Sequence, residues 1–331
     1  MRGMNRPLRS TSTRSRGAAV LMALFVATLA TLIVSGLFWT QFVLLRTIEN
    51  QQLVSQSRLL LRGALDWARA ILREDARTSN FDAISEPWGQ RLEETRLDQL
   101  GETSALAAQA TMSGDIEDAQ SRFNLRGLVQ DGQVSEPEVA ALARLTKVLN
   151  LPEQTANLIA NHMAQALAVS DINATTPKPK PIPLVFPQDI GGISGISAEA
   201  AAKLSAYVVV LDEARIPINV NTAPAEVLVA RIPGLTLSEA NAAVGQRRRT
   251  DNRFRNTGDF RNIVGAKAND VTDELISTAS RYFFVRGRIK LDRADTRMEA
   301  LVKRSAPRTP GPITVLWQRE CDACKNPRRD D

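Results

Sequence analysis

Few side chains in this 331-residue chain are of types and spacings that could do chemistry. There is one histidine, His162, and there are two cysteines, Cys321 and Cys324, in a C-terminal CDAC. His162 falls within a helical pattern and forms no constellation with a nucleophile. A single CxxC and one histidine supply too few ligands for a zinc site. In an oxidising compartment the cysteines can pair locally, but such a bond closes almost no loop and adds little global stability. No glycine-rich phosphate loop is present, and Asp66 and Glu74 have no evident acid–base partner. What remains is Asp115, Glu117 and Asp118, three carboxylates within four residues. They make a hard-oxygen cluster of the kind calcium prefers, without the spacing of an EF-hand, and an exposed acidic turn would look the same. The chemistry-bearing residues therefore do not describe an enzyme, and Ca2+ is the one cofactor the residues suggest.

The elements that position these groups begin with an apolar run. From Ala18 to Trp39 the chain has no charged residue and no proline. About 20 such residues make a helix long enough to cross a bilayer core of roughly 30 Å. Thr28, Thr31 and Ser35 are the polar interruptions, and their hydroxyls can bond back to the helix backbone. Arg2, Arg6, Arg9, Arg14 and Arg16 precede the run with no acidic residue among them. That flank places the N-terminus in the cytoplasm and the rest outside, in a single-pass arrangement. An ordinary secretory signal has a core of about 7–15 residues, shorter than this one. The run is thus a permanent anchor, or a leader ending at Gly17 followed by a stem. The net charge is +6, and five of those charges are the leader arginines, so removal of the leader would leave about +1. A nearly neutral body is a poor polyanion ligand.

The helical pattern continues past the membrane edge to about Glu74, with Ile48, Leu53, Leu60, Ala64, Trp67, Ile71 and Leu72 near one side. Residues 78–113 are weakly patterned. The stretch SGDIEDAQSRFNLRGLV suggests one or two strands and a turn. From Ser135, a plausible N-cap, the chain turns helical, and the module continues through a proline-rich linker from Thr175 to Pro187. The segments RYFFVRGRIKLD, MEALVKRS and ITVLWQRE then read as an antiparallel meander, with Gly287 and Arg293–Asp295 as its turns. Strand-like residues flank a helical block, which implies helices inserted into a sheet domain.

The Arg16–Gly17 leader with its apolar run resembles type IV pilin-like precursors. With QSRLLLRGALDWARAIL, DIEDAQSRFNLRGL and PINVNTAPAEVLVARIPGL in that order, nearly the whole chain resembles the minor pseudopilin K of type II (general) secretion systems. The resemblance implies cleavage by the prepilin peptidase after Gly17 and methylation of the new amine of Ala18. It implies a place at the tip of a periplasmic pseudopilus, initiating or capping assembly with I- and J-class minor pseudopilins, among other secretion components. It also implies calcium binding in some members, without a ligand set that maps here. Most pilin-like proteins carry glutamate five residues into the mature chain, where this sequence has Met22. That carboxylate neutralises the amine of the subunit above, so a subunit with none above it does not need one. FNLRGL has Arg126 where the family often has a second asparagine.

The expected fold is α+β. Residues 1–17 are a leader, 18–45 a transmembrane or stem helix and 46–130 the first part of a pilin-like sheet domain. Residues 131–276 are an inserted helical domain like SAM or helix-hairpin-helix modules, 277–320 the remaining strands and 321–331 a tail. The rival reading is a membrane-anchored DNA receptor. INVNTAPAEVLVARIPGLTLSEANAAVGQRRR also resembles a helix-hairpin-helix module, in which hairpin amides hold a phosphate. Here the hairpin Gly234-Leu235-Thr236 lacks the second glycine. Arg247, Arg248, Arg249, Arg253, Arg255 and Arg261 would be its basic patch, diluted by Asp251 and Asp259. The preferred reading has no nucleic-acid partner.

Overall fold

A computed structural model describes residues 15–101, 107–168, 180–247, 253–268, 271–306, 308–309 and 311–321. The leader arginines Arg2 to Arg14, Arg248, Arg249, Asp251 and Cys324 lie outside them; Cys321 is disulfide-bonded. The chain divides into two units, 1–56 and 57–331.

The first helix, α1, is Ser15–Thr78, running four residues past the expected end at Glu74. In the first unit its apolar side chains are exposed all round, from Val20 at 61% to Leu45 at 55%. Its hydroxyls do not break it, because Thr28 donates to Leu24 O at 3.0 Å and Thr31 to Ala27 O at 2.8 Å. In the second unit the helix is one-sided, burying Ser57, Leu61, Leu65, Ala68, Leu72 and Asp75. These positions are three or four apart, which is one helix face. This face differs from the expected one: Trp67 is 45% exposed and Leu60 and Ile71 are only partly covered.

Five strands form the sheet: β1 (Leu92–Arg96), β2 (Ala110–Asp118), β3 (Tyr282–Leu291), β4 (Ala294–Lys303) and β5 (Thr314–Glu320). They are antiparallel in the order β1-β2-β3-β4-β5. The last three are the meander expected from sequence. The β3–β4 hairpin turns on Asp292 and Arg293, with Asp292 at φ 51°, the positive φ that tight hairpin turns require. Gly287 is not a turn residue. It pairs with Gly114 in mid-strand, and a Cβ added to it would lie 3.2 Å from Leu61 Cδ2. The missing side chain of Gly287 lets α1 approach the sheet, and that of Gly114 lets β2 lie close to the Arg286 carbonyl of β3. Alternation along β3 puts Phe283, Val285, Gly287 and Ile289 on the α1 side and Phe284, Arg286 and Arg288 on the other.

β2 and β3 are neighbours in the sheet, yet residues 119–281 intervene between them. That segment carries α2 (Glu136–Val148), α3 (Thr155–Leu167), α4 (Ala198–Ser205), α5 (Ala225–Arg231), α6 (Leu237–Arg247) and α7 (Thr257–Val264). Their apolar faces close one core around Leu142, Leu145, Ile159, Leu204, Leu228 and Phe260. Phe123, Leu125, Leu128 and Val129 belong to that core too. The residues of FNLRGL thus pack with the helices, and Phe123 and Asn124 pair with Val208 and Val209 instead of joining the five-stranded sheet.

Candidate functional site

Where the insertion leaves and rejoins the sheet, the side chains build a buried polar junction. Arg304, one residue past β4, is 3% exposed. It donates to Asp75 Oδ2 on α1 at 2.7 Å, to Leu72 O at 3.2 Å, to Ser280 O at 3.1 Å and to Asp82 Oδ1. Asp82 accepts in addition from Ser280 N at 2.7 Å. Asp118, the last residue of β2, accepts from Ser280 Oγ at 2.6 Å, Thr222 Oγ1 at 2.6 Å, Asn219 Nδ2 at 2.9 Å and Gln120 N at 2.8 Å. Asn219 Nδ2 also reaches Asp82 O at 3.1 Å. Asn221 exchanges hydrogen bonds with the backbone of Phe254, at 2.8 and 2.9 Å. The stretch NVNTAP is thus a clamp that ties the insertion to the end of the stem and to both flanking strands. Burial pushes the Asp82 carboxyl well above the ordinary carboxylate range against the pull of Arg304, and burial raises Asp118.

The three carboxylates read from sequence as a calcium cluster do not converge. Alternation along β2 sends Asp115 and Glu117 to one face and Asp118 to the other. Glu117 accepts from Arg122 at 2.9 Å and from Arg286 at 2.8 Å, and Asp115 lies 3.3 Å from Arg286. Arg286 further binds Glu299 at 2.9 Å, and Arg319 binds Glu299 at 2.6 Å. Arginines stand where the cation was expected, and the Asp118 donors are those of the junction. Among the described residues, carboxylates close enough to share an ion are Asp75, Asp82 and Glu86, within 4.8 Å of one another, and Arg304 already bridges two of them.

The hairpin after α5 has Gly234 at φ 76°, as its turn requires. Two amides of this hairpin are occupied from within: Leu235 N donates to Ile232 O at 3.3 Å and Thr236 N to Glu239 at 2.9 Å, and Glu239 pairs with Lys267 at 2.6 Å. Arg247 donates to the carbonyls of Val220 and Ala223, and Arg261 to Val271 O at 2.8 Å. Arg253 lies 5.0 Å from the centre of the Phe81 ring. These donors bind the chain itself. His162 is bonded to Ile182 O at 3.0 Å.

At the other end, Gly17, Ala18 and Met22 lie in the first turns of α1, Met22 being 70% exposed. The helix Gly17–Thr78 contains a stretch long and apolar enough to cross a membrane, an 18-residue window of it having a mean hydropathy of 2.5.

Two family models described as type II secretion system (T2SS), protein K, match residues 121–213 and 218–279. Over these residues the chain is similar to protein K of type II secretion systems. The matched residues contain the NVNTAP clamp and stop short of β3. A type II secretion system protein K of Pseudomonas aeruginosa PAO1 is 29% identical over 157 residues. That alignment takes in 46% of this chain and 44% of the relative, less than half of its length. A chain of the GspK-GspI-GspJ complex from the enterotoxigenic Escherichia coli type 2 secretion system superposes with a TM-score of 0.62 at 20% identity. It covers 83% of this chain and 99% of that one, so the fold is that of a protein K head. The residues that join helix, sheet and insertion, Arg304, Asp82, Asp75, Arg286 and Arg122, had no local signature in the sequence. Their spacing in the chain exceeds 200 residues for Asp82–Arg304.

Proposed function

We propose that this minor pseudopilin is the tip subunit of a periplasmic pseudopilus, non-enzymatic, and acting by assembly with I- and J-class minor pseudopilins. The prepilin peptidase removes residues 1–17 and the amine of Ala18 is methylated. The stem is held in the inner membrane, N-terminus towards the cytoplasm, until it enters the fibre. The observation that carries the reading is Met22. In a stem that is uncharged from Ala18 to Trp39, the position five residues into the mature chain has no carboxylate. A carboxylate there would neutralise the amine of a subunit above, and unpaired in a bilayer it would be costly. The insertion of residues 119–281 supports the same place, since a head enlarged between two adjacent strands leaves less room for a further subunit to stack on it. In this role the protein starts or caps the fibre.

The test is to express the full chain with the I- and J-class proteins of the same genome and a prepilin peptidase, then extract membranes in mild detergent. A mature N-terminus at methylated Ala18 and a stable complex of all three are expected. A mature protein that begins at Met1, or at any residue other than Ala18, overturns the pilin-like reading. Failure to co-purify overturns the assignment of partners.

A further inference from the structure

The half of α1 that packs on the head keeps a second face turned outward, and its composition is not that of a solvated helix face. Leu59 is 67% exposed and Trp67 45%, each one turn from Gly63. Ala70 continues the stripe and is also exposed. Gly63 is in the interior of a helix of 64 residues, where glycine is the poorest residue after proline. Nothing among the described residues accounts for it, because a Cβ built on Gly63 meets no atom within 4 Å. Its φ is not in the left-handed region either. An apolar residue on either side of a gap, one turn each way, is what allows a second helix to approach closely and set a side chain into the gap.

The charges beside the stripe narrow the occupant. Arg62 and Arg73 are exposed along one border and make no hydrogen bond or ion pair with any described residue. Asp66, on the same side, is already held by Arg69 at 2.7 Å. Arg62 and Arg73 are three turns apart, on the order of 16 Å along the axis. A second copy of this chain lying parallel and in register would set arginine against arginine. The face also continues the side of α1 opposite the buried stripe Leu61, Leu65, Leu72.

We propose that the outward face of α1 around Leu59, Gly63 and Trp67 receives the stem helix of a partner minor pseudopilin. Gly63 is the point of closest approach, and carboxylates on the partner helix, about three turns apart, face Arg62 and Arg73. This rests on the assembly reading above and adds to it which side of the stem the partner takes. Leu61, Leu65, Ala68 and Leu72 are not available for that purpose because they are covered by the head of the same chain.

The test uses the full chain, co-expressed with the I- and J-class proteins and purified in detergent through a tag on this chain. Gly63→Leu fits the free chain and improves helix propensity, so its thermal midpoint is expected to hold or rise. Recovery of the partners should nevertheless fall at least tenfold. Gly63→Ala should fall less. Arg62→Glu with Arg73→Glu should lower recovery, and the wild-type complex should weaken as salt is raised. Wild-type recovery of partners by Gly63→Leu and by Leu59→Glu overturns the proposal while leaving the assembly reading in place. Absence of partners from the wild-type purification overturns that reading. A photocrosslink from position 63 to a second copy of this chain, in place of a partner, also overturns the proposal.

Discussion

Arg304 is held by two carboxylates and two backbone carbonyls in a site 3% exposed to solvent. Removing one partner of a buried ion pair leaves the other charge uncompensated, which costs about 3–5 kcal/mol. Arg304→Met should therefore lower the unfolding free energy of the head by about that much in urea titrations, without changing the mature N-terminus. Ser57 is the reverse case. It is fully buried on α1, and its Oγ has no partner among the described residues. An unsatisfied buried hydroxyl costs about 1–3 kcal/mol, so Ser57→Ala should be neutral or stabilising by about 1 kcal/mol in the same titration. Glu213 gives a pH signature. Although burial opposes it, hydrogen bonds from Lys303, Arg281 and Tyr282 hold its carboxyl at about 2, below the ordinary 4.5. A depressed carboxylate stabilises above its unfolded pKa, and that contribution is lost as pH falls through the folded value. Glu213 is 38% exposed, so screening reduces the effect to about 1 kcal/mol. Glu213→Gln should thus be less stable than wild type at pH 6, and the difference should close as pH falls from about 4.5 towards 2.

At the scale of elements, α1 meets the sheet at Gly287, where Leu61 packs. Gly287→Val would push a side chain into Leu61, and overpacking of this kind costs about 1–3 kcal/mol. Thermal unfolding of Gly287→Val, Leu61→Ala and the double variant should show coupling, with the double less damaged than the sum of the singles. The same contact shows what the sequence could and could not convey. The apolar stem, the meander strands and the helical block between strands were legible, because periodicity and proline placement act over neighbours in the chain. The face that α1 buries was not. Leu60 and Leu61 are both apolar, and the choice between them depends on a gap at Gly287, more than 220 residues further along the sequence. In the same way Asp115 and Glu117 read as an acidic cluster, since the arginines that neutralise them come from β3 and from the turn after β2. NVNTAP was legible as a family signature before its work as a clamp was visible, because its partners Asp82, Asp118 and Ser280 lie far from it in sequence.

For the whole molecule, the reading of Met22 makes a prediction that separates a tip subunit from an ordinary stem. In a subunit with another above it, a glutamate at this depth is neutralised by the neighbouring amine. In a subunit with none above it, the carboxylate stays unpaired in hydrocarbon at a cost of up to about 3 kcal/mol, or takes up a proton. Met22→Leu keeps the apolar surface and should assemble as wild type does. Met22→Glu should be processed normally, since the position lies beyond the cleavage site, yet enter the complex with I- and J-class proteins less well. The measurement is the ratio of complexed to free mature protein in detergent extracts, read for both variants at neutral and at mildly acidic pH. Acid should narrow the deficit of Met22→Glu by protonating the carboxylate, because the penalty belongs to the charged form. If Met22→Glu assembles as fully as wild type at neutral pH, an amine above it must be neutralising the charge, and the chain is then not the uppermost subunit.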